Sequence, residues 1–273
     1  MPLKYRLWDM SWKEAREAFG KCDTVIVPTG TLHGHGPSPI SIDGSSVEKL
    51  ADEVGKRTGL MVLPLVPYGE DDKMLRYPGS VGIRPDVLEG VYTDICRGLH
   101  RNGIRKVIFV NGHGGNREAL TRTGQNVREL GVLVAIVEWW SIGRTLMPDL
   151  FPGHKGVFME ELAVAMAIQG KEIADIRPGG YMGEWGENPT RKIFGDRIKP
   201  IRFNDFTFKG APITIPVDAW DIDVEGPPEI SKDDLDSLIK RGEQIIQRVA
   251  DYIAEFAQEF QKINVQEVLK SRE

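Results

Sequence analysis

The stretch after the first apolar run holds residue types that could bind a metal ion. His33 and His35 stand two positions apart, with glycine on both sides of His35, and Asp43 follows eight residues after His35. Glycine lets a backbone turn sharply and approach a ligand closely, and imidazole and carboxylate are the usual ligands of borderline divalent ions. The pattern predicts a metal site at the end of a buried strand. The alternative is a Gly/Pro-rich turn with two solvated histidines.

Two more histidines lie in glycine-flanked stretches. His113 stands in the sequence Asn-Gly-His-Gly-Gly-Asn directly after another apolar run, and His154 stands six residues before Glu160. Loops that follow parallel strands emerge at the carboxyl edge of a sheet, where open α/β sheets bind ligands. We therefore expect the loop of His113 to lie close to the loop after the first strand.

The elements that must position these loops alternate along the chain. Continuous Val/Ile runs are typical of strands buried on both faces of a parallel sheet, and helical patterns between them favour a mostly parallel, doubly wound α/β sheet. The expected strands cover residues 23–27, 61–66, 106–110 and 132–137. The expected helices cover residues 8–20, 45–57, 85–101, 117–130, 158–169 and 231–260.

Composition limits the classes of function. The net charge is −5, and without a basic block nucleic acid is not an expected partner. No apolar run is long enough to span a membrane, and the N-terminus has no apolar signal region. Two cysteines 74 positions apart form no disulfide framework, which predicts a cytoplasmic location. We expect one domain over residues 1–273. Its loop-rich segment 177–228, with short strands such as residues 211–217, is expected to cover the active site or form a subunit contact.

Four stretches together resemble the creatininase (creatinine amidohydrolase) family. Residues 28–37, PTGTLHGHGP, are similar to its Gly-Ser-x-Glu-Gln-His-Gly-Pro pattern, and residues 111–116 match its Asn-Gly-His-Gly-Gly-Asn. Tyr68-Gly69, followed by residues 77–80, resembles its Tyr-Gly…Phe-Pro-Gly-Thr. Residues 153–160 resemble its His-Ala-Gly-x-x-Glu. Four motifs in the family's order are far more specific than any one of them.

The resemblance implies a three-layer α/β/α fold and a dinuclear metal site holding zinc, manganese or both. His35, Asp43 and His113 fall on the family's metal ligands, and Asp43 would bridge the two ions. Glu160 falls on a later ligand. The gap between His154 and Glu160 is one residue longer than the corresponding gap in the family. Glu161 is therefore a rival for that position.

Other positions depart from the family pattern or have predicted roles beside the ions. His33 replaces the family's first Glu ligand; imidazole also binds zinc, but the change removes one negative charge. His154 falls on a histidine beside the reacting carbonyl and would move a proton to the leaving group. Lys73 lies where the family has Glu-His, and it could bind an anionic or enolate-like group or be a solvated lysine. The carboxylates of Asp71 and Asp72 are expected to be solvated.

The resemblance implies a metal-dependent hydrolase that opens a small cyclic substrate by attack of hydroxide on a carbonyl. A cyclic amide, cleaved at C–N, is the first expectation. The family also includes a ring-opening hydrolase of inositol catabolism, so C–C cleavage of a keto-inositol is the alternative. A non-catalytic metal-binding or assembly subunit is the third reading. The resemblance further implies a homo-oligomer, commonly a hexamer.

Overall fold

A sheet of four parallel strands forms the centre of the fold. The computed structural model describes residues 4–34, 38–72, 74–75, 77–151, 159–170, 197–202, 205–217 and 234–270. Within these residues the strand order is β2-β1-β3-β4, with β1 at Thr24–Thr29, β2 at Met61–Val62, β3 at Lys106–Asn111 and β4 at Leu133–Glu138. β1 and β3 are paired along their whole length, so that Thr29 lies beside Asn111. The predicted mostly parallel α/β sheet is confirmed.

Helices cover both faces of this sheet. The α-helices are α1 (Trp12–Lys21), α2 (Ile42–Thr58), α3 (Pro85–Arg101), α4 (Asn116–Asn126), α5 (Trp139–Leu146), α6 (Met159–Gln169), α7 (Leu235–Gln261) and α8 (Val265–Lys270). Side chains alternate across β1, as the two-residue period of a strand requires. Ile26 packs into a core with α2, α6 and α7, whereas Val25 and Val27 pack into a second core with α3 and α4. The layers are therefore helix, sheet and helix.

Several element boundaries differ from the sequence expectation. α2 begins at Ile42, three residues earlier than predicted, and this places Asp43 in its first turn. β2 has two residues where six were expected. The chain beyond it still follows β1 through Leu63 N–H···O Ile26 and Val66 N–H···O Pro28 bonds, but Pro64 between them has no N–H to donate. α5 was not predicted.

Part of the segment 177–228 forms a second, antiparallel sheet. Its strands are β5 (Ile198–Arg202), β6 (Asp205–Phe208) and β7 (Ala211–Thr214), in that order. The expected strand at 211–217 is therefore shorter than predicted. Most of the segment lies outside the described residues, so its role over the active site or in a subunit contact stays a prediction. None of the helices in the described ranges is long and apolar enough to cross a membrane.

Candidate metal centre

Two imidazoles and one carboxylate converge at the carboxyl edge of the central sheet. Each of His33, Asp43 and His113 offers a ligand atom, and these atoms lie within 4.8 Å of one another. Asp43 Oδ2 is 2.8 Å from His113 Nδ1 and 3.4 Å from His33 Nε2. The two rings meet edge to face with their centroids 4.6 Å apart. His33 and Asp43 are buried, so the carboxylate lies between two nitrogen donors with little solvent around it.

Each member of this group comes from a different part of the fold. His33 lies in the loop after β1, Asp43 in the first turn of α2, and His113 in the loop after β3. The loops approach closely because Gly112 has no side chain. A Cβ built on Gly112 would overlap the backbone carbonyl oxygen of Asp43, so glycine allows α2 to reach the end of β3.

Asn111 connects the ends of the two central strands beneath the site. Its Oδ1 accepts hydrogen bonds from Thr29 Oγ1 and from the His113 backbone N–H, both at 3.2 Å. Its Nδ2 donates to the His113 carbonyl at 2.7 Å and to Glu138 Oε1 at 3.3 Å. Glu138, at the end of β4, also accepts from Arg117 Nε at 2.9 Å. Asn111 therefore fixes the His113 backbone, and Glu138 supports it from the neighbouring strand.

The expectation that Asp71 is solvated was wrong. Only 1% of the residue is exposed, and its Oδ1 lies 2.8 Å from His33 Nδ1. Its neighbour Asp72 is exposed, as expected. Sequence reasoning missed Asp71 because three consecutive acidic residues, 70–72, are typical of a solvated loop.

Glu70 is a second carboxylate beside the site that the sequence did not single out. A Cβ built on Gly115 would overlap Glu70 Oε2 and would lie 2.6 Å from His113 Nε2. Both atoms therefore occupy the space where a side chain at position 115 would stand. The Glu70 backbone N–H donates to Asn116 Oδ1 at 3.0 Å, which holds this loop against the start of α4.

Glu160 does not belong to the group formed by His33, Asp43 and His113 in the described structure. It is buried on α6, where its Oε1 accepts a hydrogen bond of 3.0 Å from Arg241 Nη2 on α7. The same guanidinium donates through Nε to the Leu150 carbonyl at 2.7 Å. Its role as a metal ligand, and that of its rival Glu161, stay predictions. His35, Lys73 and His154 lie outside the described residues.

Removing the Arg241 guanidinium should destabilise the metal-free protein. An Arg241→Ala change leaves the Glu160 carboxylate buried without this partner and the Leu150 carbonyl without this donor. Breaking a fully buried ion pair costs about 3–5 kcal/mol. Because 19% of the Arg241 side chain is exposed, we expect a smaller loss of about 2 kcal/mol, below that range. Urea unfolding of the metal-free protein measures it.

Arg248→Ala is the matched control for that experiment, because it also removes an ion pair of α7. Arg248 pairs with Asp149 at 2.7 Å, but both side chains are largely exposed, at 44% and 61%. Water screens such pairs, so the free energy of unfolding should hardly change. If both substitutions changed the free energy of unfolding equally, the contact between Arg241 and Glu160 would contribute no more to stability than an exposed ion pair.

The sequence of this chain is similar to those of proteins in a known family. The family model Creatininase, described as creatinine amidohydrolase, matches residues 8–177. The 3-dehydro-scyllo-inosose hydrolase of Thermotoga maritima is 32% identical over 107 residues, which are 38% of this chain and 34% of that protein. The creatinine amidohydrolase of Pseudomonas putida is 28% identical over 183 residues, which are 58% of this chain and 70% of that protein. The match to the first relative thus spans about a third of its length.

A solved structure named Creatininase Mn has the same fold. It superimposes with a TM-score of 0.68 at 21% identity and covers 95% of this chain and 100% of its own. The family model spans more than half of the sequence, and it includes all three converging residues. The chain belongs to the creatininase family.

Proposed function

We propose that this protein is a metal-dependent hydrolase that opens a small cyclic substrate by adding water to a carbonyl group. The observation that carries the proposal is the convergence of His33, Asp43 and His113 within 4.8 Å at the carboxyl edge of the sheet. Ligands are expected at this edge in open α/β sheets. Relatives named as hydrolases of cyclic compounds support the reaction class.

The described residues fit a divalent cation. Two imidazole nitrogens and a carboxylate oxygen form a donor set suited to zinc, and a carboxylate also suits manganese. The Asp43 carboxylate is buried between the two imidazoles, and its negative charge favours a cation there. A solved structure of the same fold is named for manganese. We propose two ions in all, which would be held by His33, His35, Asp43, His113 and Glu160.

The chemistry follows from this placement. Divalent ions, when bound, polarise a carbonyl oxygen and lower the pKa of water towards neutrality. Asp43, held in the first turn of α2, places its carboxylate between the two imidazoles. His154 is proposed to carry a proton to the leaving group. Lys73 is proposed to bind an anionic part of the substrate.

Two substrate classes are compatible with this site. A cyclic amide, cleaved at its C–N bond, is the first proposal, supported by the 28% identity to the Pseudomonas putida creatinine amidohydrolase. A keto-inositol, cleaved at a C–C bond, is the second, supported by the 32% identity to the Thermotoga maritima inosose hydrolase. Both reactions pass through a tetrahedral oxyanion formed at a carbonyl, so one site could serve either.

The test combines metal analysis with two substrate panels. The purified protein should contain at least one divalent ion per chain, and, when loaded with Zn²⁺ or Mn²⁺, it should open rings of only one panel, cyclic amides or keto-inositols. The panel that reacts identifies the substrate class. Less than one ion per chain, with no ring opened after metal is added, would contradict the enzyme proposal and favour a non-catalytic assembly subunit.

A further inference from the structure

His33 lies between two carboxylates that face its two ring nitrogens. Asp71 Oδ1 is 2.8 Å from Nδ1, and Asp43 Oδ2 is 3.4 Å from Nε2. His33 and Asp71 are both buried, with exposed fractions of 5% and 1%. A buried carboxylate at hydrogen-bond distance from an imidazole nitrogen accepts the ring N–H, since an ionised carboxylate has no proton to donate.

We propose that Asp71 is the positioning residue of His33 in the metal site. A neutral imidazole carries one N–H and one lone pair. The Asp71 carboxylate holds the N–H on Nδ1, which leaves the lone pair on Nε2, on the side of Asp43 and His113. This inference rests on the proposed metal site and adds a residue to it. In metalloproteins such outer carboxylates fix the tautomer and the orientation of the ligating ring.

Long-range contacts hold Asp71 in place. The segment 81–83 lies between the loop of His33 and the loop of Asp71. Val81 N–H donates to Leu32 O at 2.9 Å, and Ile83 N–H donates to Gly69 O at 2.8 Å. Between them, Gly82 packs directly on Asp71, because a Cβ there would lie 3.0 Å from the Asp71 Cβ. Residues 81–83 therefore hold the loop that carries Asp71 against the loop that carries His33.

Asp71 also compensates in part for the negative charge that is missing at position 33. The family pattern has Glu where this chain has His33, so a negative charge is missing directly at the site. Asp71 places a carboxylate behind the imidazole, and a hydrogen bond to a carboxylate makes a ligating imidazole more basic. The pair of His33 and Asp71 thus recovers part of the electrostatic attraction for a cation that one Glu would supply.

An Asp71→Asn substitution tests the proposal, because the amide keeps the size of the side chain and removes the charge. Affinity for Zn²⁺ and for Mn²⁺ is measured by competition with a chromophoric chelator. We expect binding to weaken by about 10- to 100-fold, the usual effect of removing such a partner. Asp72→Asn, an exposed neighbour in the same loop, should leave the affinity unchanged. An Asp71→Asn protein that binds as tightly as the Asp72→Asn control would overturn the proposal.

Two measurements separate positioning from a general role in the fold. In a His33→Ala background, Asp71→Asn should have no further effect on metal affinity, whereas a loss of general stability would weaken binding in both backgrounds. In the unaltered metal-free protein, ¹⁵N NMR of the His33 ring should show the proton on Nδ1. A neutral ring with its single proton on Nε2 refutes the proposal without any variant. If the unaltered protein binds neither Zn²⁺ nor Mn²⁺, it is the proposed function that fails, and the NMR result still decides the tautomer.

Discussion

Replacing Asp43 by Asn should reduce the affinity for Zn²⁺ and Mn²⁺ by more than about 100-fold, since loss of a partner one step removed from a metal already costs 10- to 100-fold. Asp43 Oδ2 is the atom that faces both His33 Nε2 and His113 Nδ1. The amide keeps the shape of the side chain but removes the charge between the two imidazoles. Hydrolysis of the reactive substrate panel should fall to the background rate.

Thermal unfolding provides a second measurement of the same change. A ligand that binds only the folded protein stabilises it by about 2.7 kcal/mol at a concentration 100 times its Kd. Added Mn²⁺ should therefore raise the Tm of the unaltered protein and leave the Tm of the Asp43→Asn variant where it is. Glu48→Gln, an exposed carboxylate on the same helix, should behave like the unaltered protein. An Asp43→Asn variant that retains the metal-induced rise would show that the ion binds elsewhere.

The convergence of His33 and His113 could be predicted because it follows from strand topology. Parallel strands carry the loops that follow them to the same edge, and β1 and β3 are neighbours in register. The position of Asp43 could not be predicted from strand topology alone. Asp43 lies in the first turn of α2 because this helix begins at Ile42. The apolar periodicity of the sequence indicates a helix only from residue 45.

The role of Asp71 could not be predicted, because its burial depends on contacts distant in sequence. Residues 70–72 are locally a polar loop with no periodicity. Burial follows only when Val81 and Ile83 pair with Leu32 and Gly69. The pair of Glu160 and Arg241 depends on tertiary packing in the same way, because these two residues are 81 positions apart and lie on different helices. Local patterns therefore predict the strands and loops of this site, whereas the side chains that surround its ligands depend on tertiary packing.

Replacing Gly112 by Ala should damage both the fold and the site. An added Cβ overlaps the Asp43 carbonyl oxygen and lies 2.8 Å from its carbonyl carbon and 3.0 Å from Val47 Cγ1. The end of β3 cannot easily move away, because Gly112 N–H donates to Thr29 O at 2.8 Å. Overpacking of this kind costs about 1–3 kcal/mol, and we expect a loss near the upper end because a backbone atom is displaced. Urea unfolding of the metal-free protein measures this cost.

The same substitution must also move Asp43 relative to His113, since α2 can relieve the overlap only by shifting away from β3. A displacement of about 1 Å in a catalytic site can cost about 100-fold in rate, so ring opening should fall by about that factor, and metal affinity should fall with it. Gly114→Ala is the matched control, because it adds the same methyl group two residues further along the same loop, where no atom lies within 4 Å. If both variants bind metal and unfold alike, the tight approach of α2 to β3 is not what holds Asp43 beside His113. A loss of metal affinity in Gly112→Ala alone would show that metal binding depends on the packing of α2 against the end of β3.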